Sequence, residues 1–157
     1  VNDPPVAGND TEDTPNFTPV TSTLFTNDND IDGDTFTVSG VSLDGTNFVA
    51  PGTELTFTEG KITINADGTY TFTPANGFSG PVPPIYYKVT DPGNLTSDVA
   101  QLELTVTFEN IPPVAVDDVI STKEDELVSG NVIDNDTDID NVVPDDMVVL
   151  RSEEHTV

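Results

Sequence analysis

Apolar residues in this chain recur at every second position, and helical spacing is absent, which restricts the chain to strands. The longest such run places Ala100, Leu102, Leu104, Val106 and Phe108 on one face and Gln101, Glu103, Thr105 and Thr107 on the other. Phe36 and Val38 alternate with Thr35, Thr37 and Ser39. Leu55 and Phe57 alternate with Thr56 and Thr58, and Ile85, Tyr87 and Val89 share a face. Thr, Val, Ile and aromatic residues suit a pleated, half-buried surface. Turn signals separate the runs: Asp44-Gly45, Glu59-Gly60, Ala66-Asp67-Gly68, Asn76-Gly77 and Asp91-Pro92-Gly93-Asn94. Ile62-Thr63-Ile64, a turn at Asn65 to Gly68, and Tyr70-Thr71-Phe72 read as a hairpin. Seven or so short strands predict an all-β, Ig-like or cadherin-like β-sandwich with Greek-key connections. The aromatics fall mainly on inward positions, as core packing requires. Tyr86 alternates outward beside Tyr87 and is a candidate surface contact.

The chain also repeats itself. Pro4-Pro5-Val6-Ala7 returns as Pro112-Pro113-Val114-Ala115, and Asn27-Asp28-Asn29-Asp30-Ile31-Asp32 as Asn135-Asp136-Thr137-Asp138-Ile139-Asp140, both 108 residues on. Asp10 and Asp118 share that register, as do Leu24-Phe25 and Val132-Ile133. A unit of this length is an autonomous domain on a string, larger than a solenoid repeat. The expected organisation is one full repeat over 1–109 and the start of a second over 110–157. The second is either cut short or a split domain whose remaining strands come from elsewhere. The copies part after Asn141, where Val142-Val143-Pro144 reads as a short insertion.

Charge sets the next constraint. Asp and Glu number 29 against 4 Lys and Arg, a net charge of −25. Nucleic acid requires a basic partner, so it is excluded; anionic lipid is disfavoured on the same ground. Such acidity fits either a disordered chain or a folded one neutralised by bound cations. The strand pattern favours the second. There is no Cys, so a small extracellular domain needs a staple other than a disulfide, and metal is one. No apolar run is long enough to span a membrane. No signal peptide is visible, and the chain reads as an excerpt opening inside a linker.

Asp28-Asn29-Asp30-Ile31-Asp32-Gly33-Asp34 has alternating carboxylates and a glycine for a sharp turn. Calcium is a hard cation that takes six to eight oxygens, and short acids so spaced can converge on one ion. An EF-hand is excluded: the twelfth positions are Ser39 and, in the second copy, Met147, where a bidentate Glu is needed, and strands flank the loop. Asp28, Asp30, Asp32 and Asp34 are therefore candidate calcium ligands, with Asp136, Asp138 and Asp140 in the second copy. The alternative is a solvated acidic loop holding no ion. A second candidate site lies where the copies join: Glu109, Asn110 and Asp118 flank paired prolines, and Asp91 is expected to reach the same pole. Asp10, Glu12-Asp13 and Glu124-Asp125 are further candidates, the last two pairs read as a matched acidic stretch of each copy. The bland reading is that the prolines alone set the junction. Extracellular modules hold calcium at about 10⁻⁴ to 10⁻³ M. At tenfold excess each ion contributes roughly 1.4 kcal/mol.

The order of short motifs is similar to that of a known family. Asn2-Asp3-Pro4-Pro5-Val6-Ala7, Glu12-Asp13-Thr14 and the acidic loop come first. Ala66-Asp67-Gly68-Thr69-Tyr70-Thr71-Phe72-Thr73-Pro74, Phe78-Ser79-Gly80, Tyr86-Tyr87-Lys88-Val89-Thr90-Asp91 and the closing strand follow. Together they resemble the bacterial cadherin-like or Ig-like tandem repeats of giant RTX adhesins. The resemblance covers residues 2–109 and, as a second start, 110 to about 141. It implies tandem sandwiches, calcium ions at the junctions, type I secretion, an extracellular or bacterial cell-surface location, and a role in extending a ligand-binding tip. The tail Arg151-Ser152-Glu153-Glu154-His155-Thr156-Val157 fits no repeat motif, and in some adhesins of this kind an inserted ligand-binding domain interrupts a repeat.

Three functions compete. A structural extender for cell adhesion or biofilm formation predicts calcium and neighbouring repeats as partners, with the chain a monomer. A calcium-dependent carbohydrate- or peptide-binding module needs an open coordination position beside surface aromatics, and takes a cell-surface glycan or protein as ligand. An enzyme is disfavoured, because the only His is His155, Cys is absent and no Ser has a base. Carboxylate pairs abound, so residue types alone leave glycoside hydrolysis open. Asn-x-Thr triplets at Asn9, Asn16, Asn94 and Asn135 follow from composition.

Overall fold

In a computed structural model that describes residues 1–140, the chain is all-β, with no helix among the described residues. The strands are β1 (Asp10–Pro15), β2 (Val20–Thr23), β3 (Thr37–Ser42), β4 (Glu54–Phe57), β5 (Gly60–Ile64), β6 (Thr69–Pro74), β7 (Gly80–Pro81), β8 (Ile85–Thr90) and β9 (Ala100–Thr107). One sheet runs β1-β9-β8-β3, with β7 also on β9, and the other runs β2-β6-β5-β4. The expected hairpin is β5–β6, pairing Ile62 with Phe72 and Ile64 with Tyr70. Its turn closes through Gly68, whose φ of 81° suits a residue without a side chain.

Alternation places the core between the sheets. Ile85, Tyr87 and Val89 of β8, and Ala100, Leu102, Leu104 and Val106 of β9, meet Ile62, Ile64, Tyr70 and Phe72 of the facing sheet. Phe57 stacks on Phe72 at 6.2 Å, and Phe25 meets Phe36 edge-on at 5.0 Å. Phe108 departs from the expected pattern: β9 ends at Thr107, and Phe108 is exposed. Tyr86 is half-buried, its ring lying against Gly45 in the neighbouring turn.

β7 and β8 lie along the same edge of β9. Gly80 pairs with Val106, the Val82 amide donates to the Leu104 carbonyl at 2.9 Å, and Ile85 pairs with Leu102. Prolines at 81, 83 and 84 have no amide proton to give, which breaks the edge into two pieces. β1 covers the other edge of β9 in parallel, Asp10 opposite Leu102 through Pro15 opposite Thr107. The chain divides into two units, Val1–Glu109 and Asn110–Val157.

Candidate metal centre

The linker preceding β1 is part of the fold. Val6 and Asn29 exchange both backbone hydrogen bonds, at 2.7 and 3.0 Å. The Gly8 amide donates to Asp28 Oδ1 at 2.7 Å, the Asp3 amide to Asp32 Oδ2 at 2.6 Å, and the Asn27 side-chain amide to the Asn9 carbonyl at 2.8 Å. Residues 2–9 are thus laid against the acidic loop 27–32. Gly33, with φ 77°, closes that loop by donating to the Asp30 carbonyl at 3.2 Å.

Two side chains bind this cassette to the sandwich. Tyr87 Oη lies 2.7 Å from the Gly8 carbonyl, 2.8 Å from Asp10 Oδ2 and 3.2 Å from Asp28 Oδ1. Asp91, in the turn after β8, accepts from Asn2 Nδ2 at 2.7 Å and from the Leu95 amide at 2.9 Å. Burial pushes the Asp10 carboxyl up to about 6, Tyr87 pulling it back and the Asp28 charge adding to the rise. Burial likewise raises Asp28, opposed by the Gly8 amide. The Tyr87 phenol is driven far above its usual range, first by burial and then by Asp10.

Asp30 is the orphan of the set. It is only 7% exposed, and its Oδ1 accepts from the Asp32 amide at 2.9 Å. Its Oδ2 is buried with no hydrogen-bond partner. A buried acceptor without a donor is costly, and a cation is one way to satisfy it. The donor set is all oxygen, as calcium requires, so the residues fit that ion. Asp30 Oδ2 would hold it, with Asp28 and Asp32 the neighbouring carboxylates of the same loop. One expectation is not met: among the described residues, no three acidic side chains are grouped closely enough to hold a metal by themselves. The loop acids turn to backbone amides instead, Asp28 to Gly8, Asp30 to Asp32 and Asp32 to Asp3. Asp34 is exposed beyond Gly33.

The second unit repeats the cassette bond for bond. Val114 and Thr137 exchange backbone bonds at 2.7 and 3.0 Å. The Val116 amide donates to Asp136 Oδ1 at 2.8 Å, the Ile111 amide to Asp140 Oδ2 at 2.5 Å and the Asp140 amide to Asp138 Oδ1 at 3.4 Å. The Ile111 amide holds Asp140 below the usual carboxylate range. Thr14 Oγ1 donates to the Thr18 carbonyl at 3.0 Å, and Thr122 Oγ1 to the Glu126 carbonyl at 2.8 Å. Phe17 and Asp125 both take positive φ, 62° and 64°. Asn141, the counterpart of Gly33, lies outside the described residues, as do Val142 to Val157, including Met147 and His155.

Two expectations are corrected by this register. Glu12 and Glu124 are not equivalents: Glu12 lies half-buried in β1, whereas Glu124 and Asp125 occupy the turn matching Asn16 and Phe17. Asp91 does not share a pole with Glu109. It follows β8 at the end of the sheet where β9 begins, whereas the Glu109 amide is held by Asn16 Oδ1 at 2.8 Å, past the end where β9 finishes. The eight residues of β9 put roughly 25 Å between those ends. Asp118, counterpart of Asp10, is exposed, and Asn110 is the counterpart of Asn2. Sequence reasoning passed over Asn2, Gly8 and Tyr87. Their signal was the recurrence of the linker itself and the pairing of one outward and one inward tyrosine.

The chain is an all-β sandwich whose acidic loop is stapled to its own linker, and comparison gives the class. Residues 2–108 match the bacterial cadherin-like domain, and the chain belongs to that family. The calcium-binding lectin RapA2 of Rhizobium johnstonii is 30% identical over 133 residues, covering 78% of this chain and 56% of that protein. The chain thus spans little more than half the length of that relative. A nucleoside hydrolase-related hypothetical protein from Saccharophagus degradans, associated with carbohydrate metabolism, superposes with a TM-score of 0.45 at 16% identity. That match covers 68% of this chain and 26% of the other, and a likeness so loose carries no argument.

Proposed function

We propose that the chain is a calcium-stabilised extender from a bacterial surface adhesin, working outside the cell as a monomer whose partners are calcium and neighbouring repeats. One observation carries the reading. The Glu109 amide is tied to Asn16 in the first unit, and the Ile111 amide to Asp140 in the second, which leaves Asn110 as the untied residue between them. The paired prolines that follow, Pro112-Pro113, are of the composition that makes a semi-rigid spacer. Asp140 belongs to an acidic loop, so calcium there would act on its tie to Ile111. The family, the orphaned Asp30 oxygen and the relative named as a calcium-binding lectin support calcium as the ligand. No catalytic arrangement is assigned.

The experiment is small-angle scattering of the whole chain in calcium and in chelator, alongside Asp140→Asn. Calcium should narrow the distribution of dimensions, and Asp140→Asn should broaden it. Scattering indifferent to calcium and to Asp140 would remove the extender reading. The lectin relative supports a second reading, calcium-dependent carbohydrate binding. A glycan array probed in calcium and in chelator decides it, since only calcium-dependent signal counts in its favour.

A further inference from the structure

Tyr87 is fully buried in the middle of β8, and its ring belongs to the core. Its hydroxyl belongs elsewhere. Three oxygens surround it: the Gly8 carbonyl from the linker at 2.7 Å, Asp10 from β1 at 2.8 Å and Asp28 from the acidic loop at 3.2 Å. These come from two stretches of chain, residues 8–10 and the acidic loop, and Tyr87 is where they meet the core. Two carboxylates and a carbonyl repel one another, and the single phenolic proton between them, donated to one oxygen at a time, offsets that repulsion.

The second copy makes the same bonds, some shorter and some longer: Ile111 to Asp140 is 2.5 Å against 2.6 Å for Asp3 to Asp32. The Asn135 amide sits 3.3 Å from the Asp117 carbonyl, against 2.8 Å for Asn27 and Asn9. The Asp140 amide sits 3.4 Å from Asp138, against 2.9 Å for Asp32 and Asp30. Asp118 is exposed where Asp10 is buried.

We propose that Tyr87 is a positioning residue for the first acidic loop: its hydroxyl, set between the Gly8 carbonyl, Asp10 and Asp28, holds linker and loop together so that the loop's other oxygens, Asp30 Oδ2 among them, are preset for a divalent cation. The inference rests on the calcium reading above and deepens it. Groups that orient metal ligands from behind typically change affinity 10- to 100-fold when removed.

The test follows backbone amide shifts of the whole chain during calcium titration, which reads each loop separately. Tyr87→Phe removes one oxygen and keeps the ring. It should raise the calcium dissociation constant read at Asp28 to Gly33 roughly tenfold and leave that at Asp136 to Asp140 unchanged. Tyr70→Phe, which removes another buried phenol, should change neither. Unchanged or tighter binding at the first loop in Tyr87→Phe overturns the proposal. If calcium moves neither loop in the unaltered chain, the calcium reading itself falls, which is a different result. Should Tyr87→Phe fail to fold, terbium luminescence of the unaltered chain decides. With no Trp and three Tyr, sensitised emission must come from a nearby tyrosine. It should survive Tyr70→Phe and Tyr86→Phe; its loss in either puts the ion away from Tyr87 and overturns the assignment.

Discussion

Residues 2–32 and 110–140 follow the same path, yet they differ in what covers them. In the first copy Leu24 is fully buried and Asp10 nearly so, beneath strands supplied by residues 37–107. In the second, Val132 stands 53% exposed at the position of Leu24, with Val119 and Leu127 almost bare. The shared features are short-range: Asn, Asp and Thr side chains bonded to backbone within about thirty residues. Such contacts need no distant partner, so they recur wherever the sequence does.

The largest effect that sharpens this comparison lies in the core. Leu24→Ala should cost about 2–5 kcal/mol in urea unfolding, whereas Val132→Ala should stay within about 0.5 kcal/mol. Equal costs would mean that both positions are covered in solution. Next comes Gly8. A Cβ there would meet the Asn27 side chain at 2.9 Å, and the second copy carries Val116 at that place with the longer Asn135 bond. Gly8→Val should destabilise the first unit by about 1–3 kcal/mol, read as a lower melting temperature, and give its linker the amide exchange of the second. Asn2→Ala should be milder, about 1 kcal/mol, since it removes one hydrogen bond to Asp91. It should speed exchange of the Asp3 amide.

A separate effect is the pH dependence in chelator. Folding favours neutral Asp10, whose pKa rises from 3.8 to about 6. Its contribution is full below pH 3.8 and is lost as pH rises through 6, so the melting temperature should fall across that window. A melt that climbs steadily from pH 4 to 6 would count against a neutral Asp10.

The alternating strands β3, β5, β6, β8 and β9 were legible from the sequence because their inward residues are apolar. β1 was not. Its inward positions are Asp10, Glu12 and Thr14, and only parallel pairing with β9, ninety residues away in sequence, makes a strand of them. β2 and β7 are four and two residues long, too short for a period to show. The acidic loop was legible as a motif, but its geometry was not. Which amide each carboxylate takes depends on where the linker returns, and the recurrence of Asn2 to Ala7 marked that segment without saying what it touches.

The parallel pairing of β1 and β9 has a mechanical consequence. The chain enters β1 at Asp10 and leaves β9 at Thr107, at opposite ends of one hydrogen-bonded pair. Tension along the polypeptide therefore slides the two strands past each other, and the bonds from Asp10–Leu102 to Pro15–Thr107 share the load together. An antiparallel pair pulled from its open end would peel one bond at a time. Through this seam the domain meets a pull in shear.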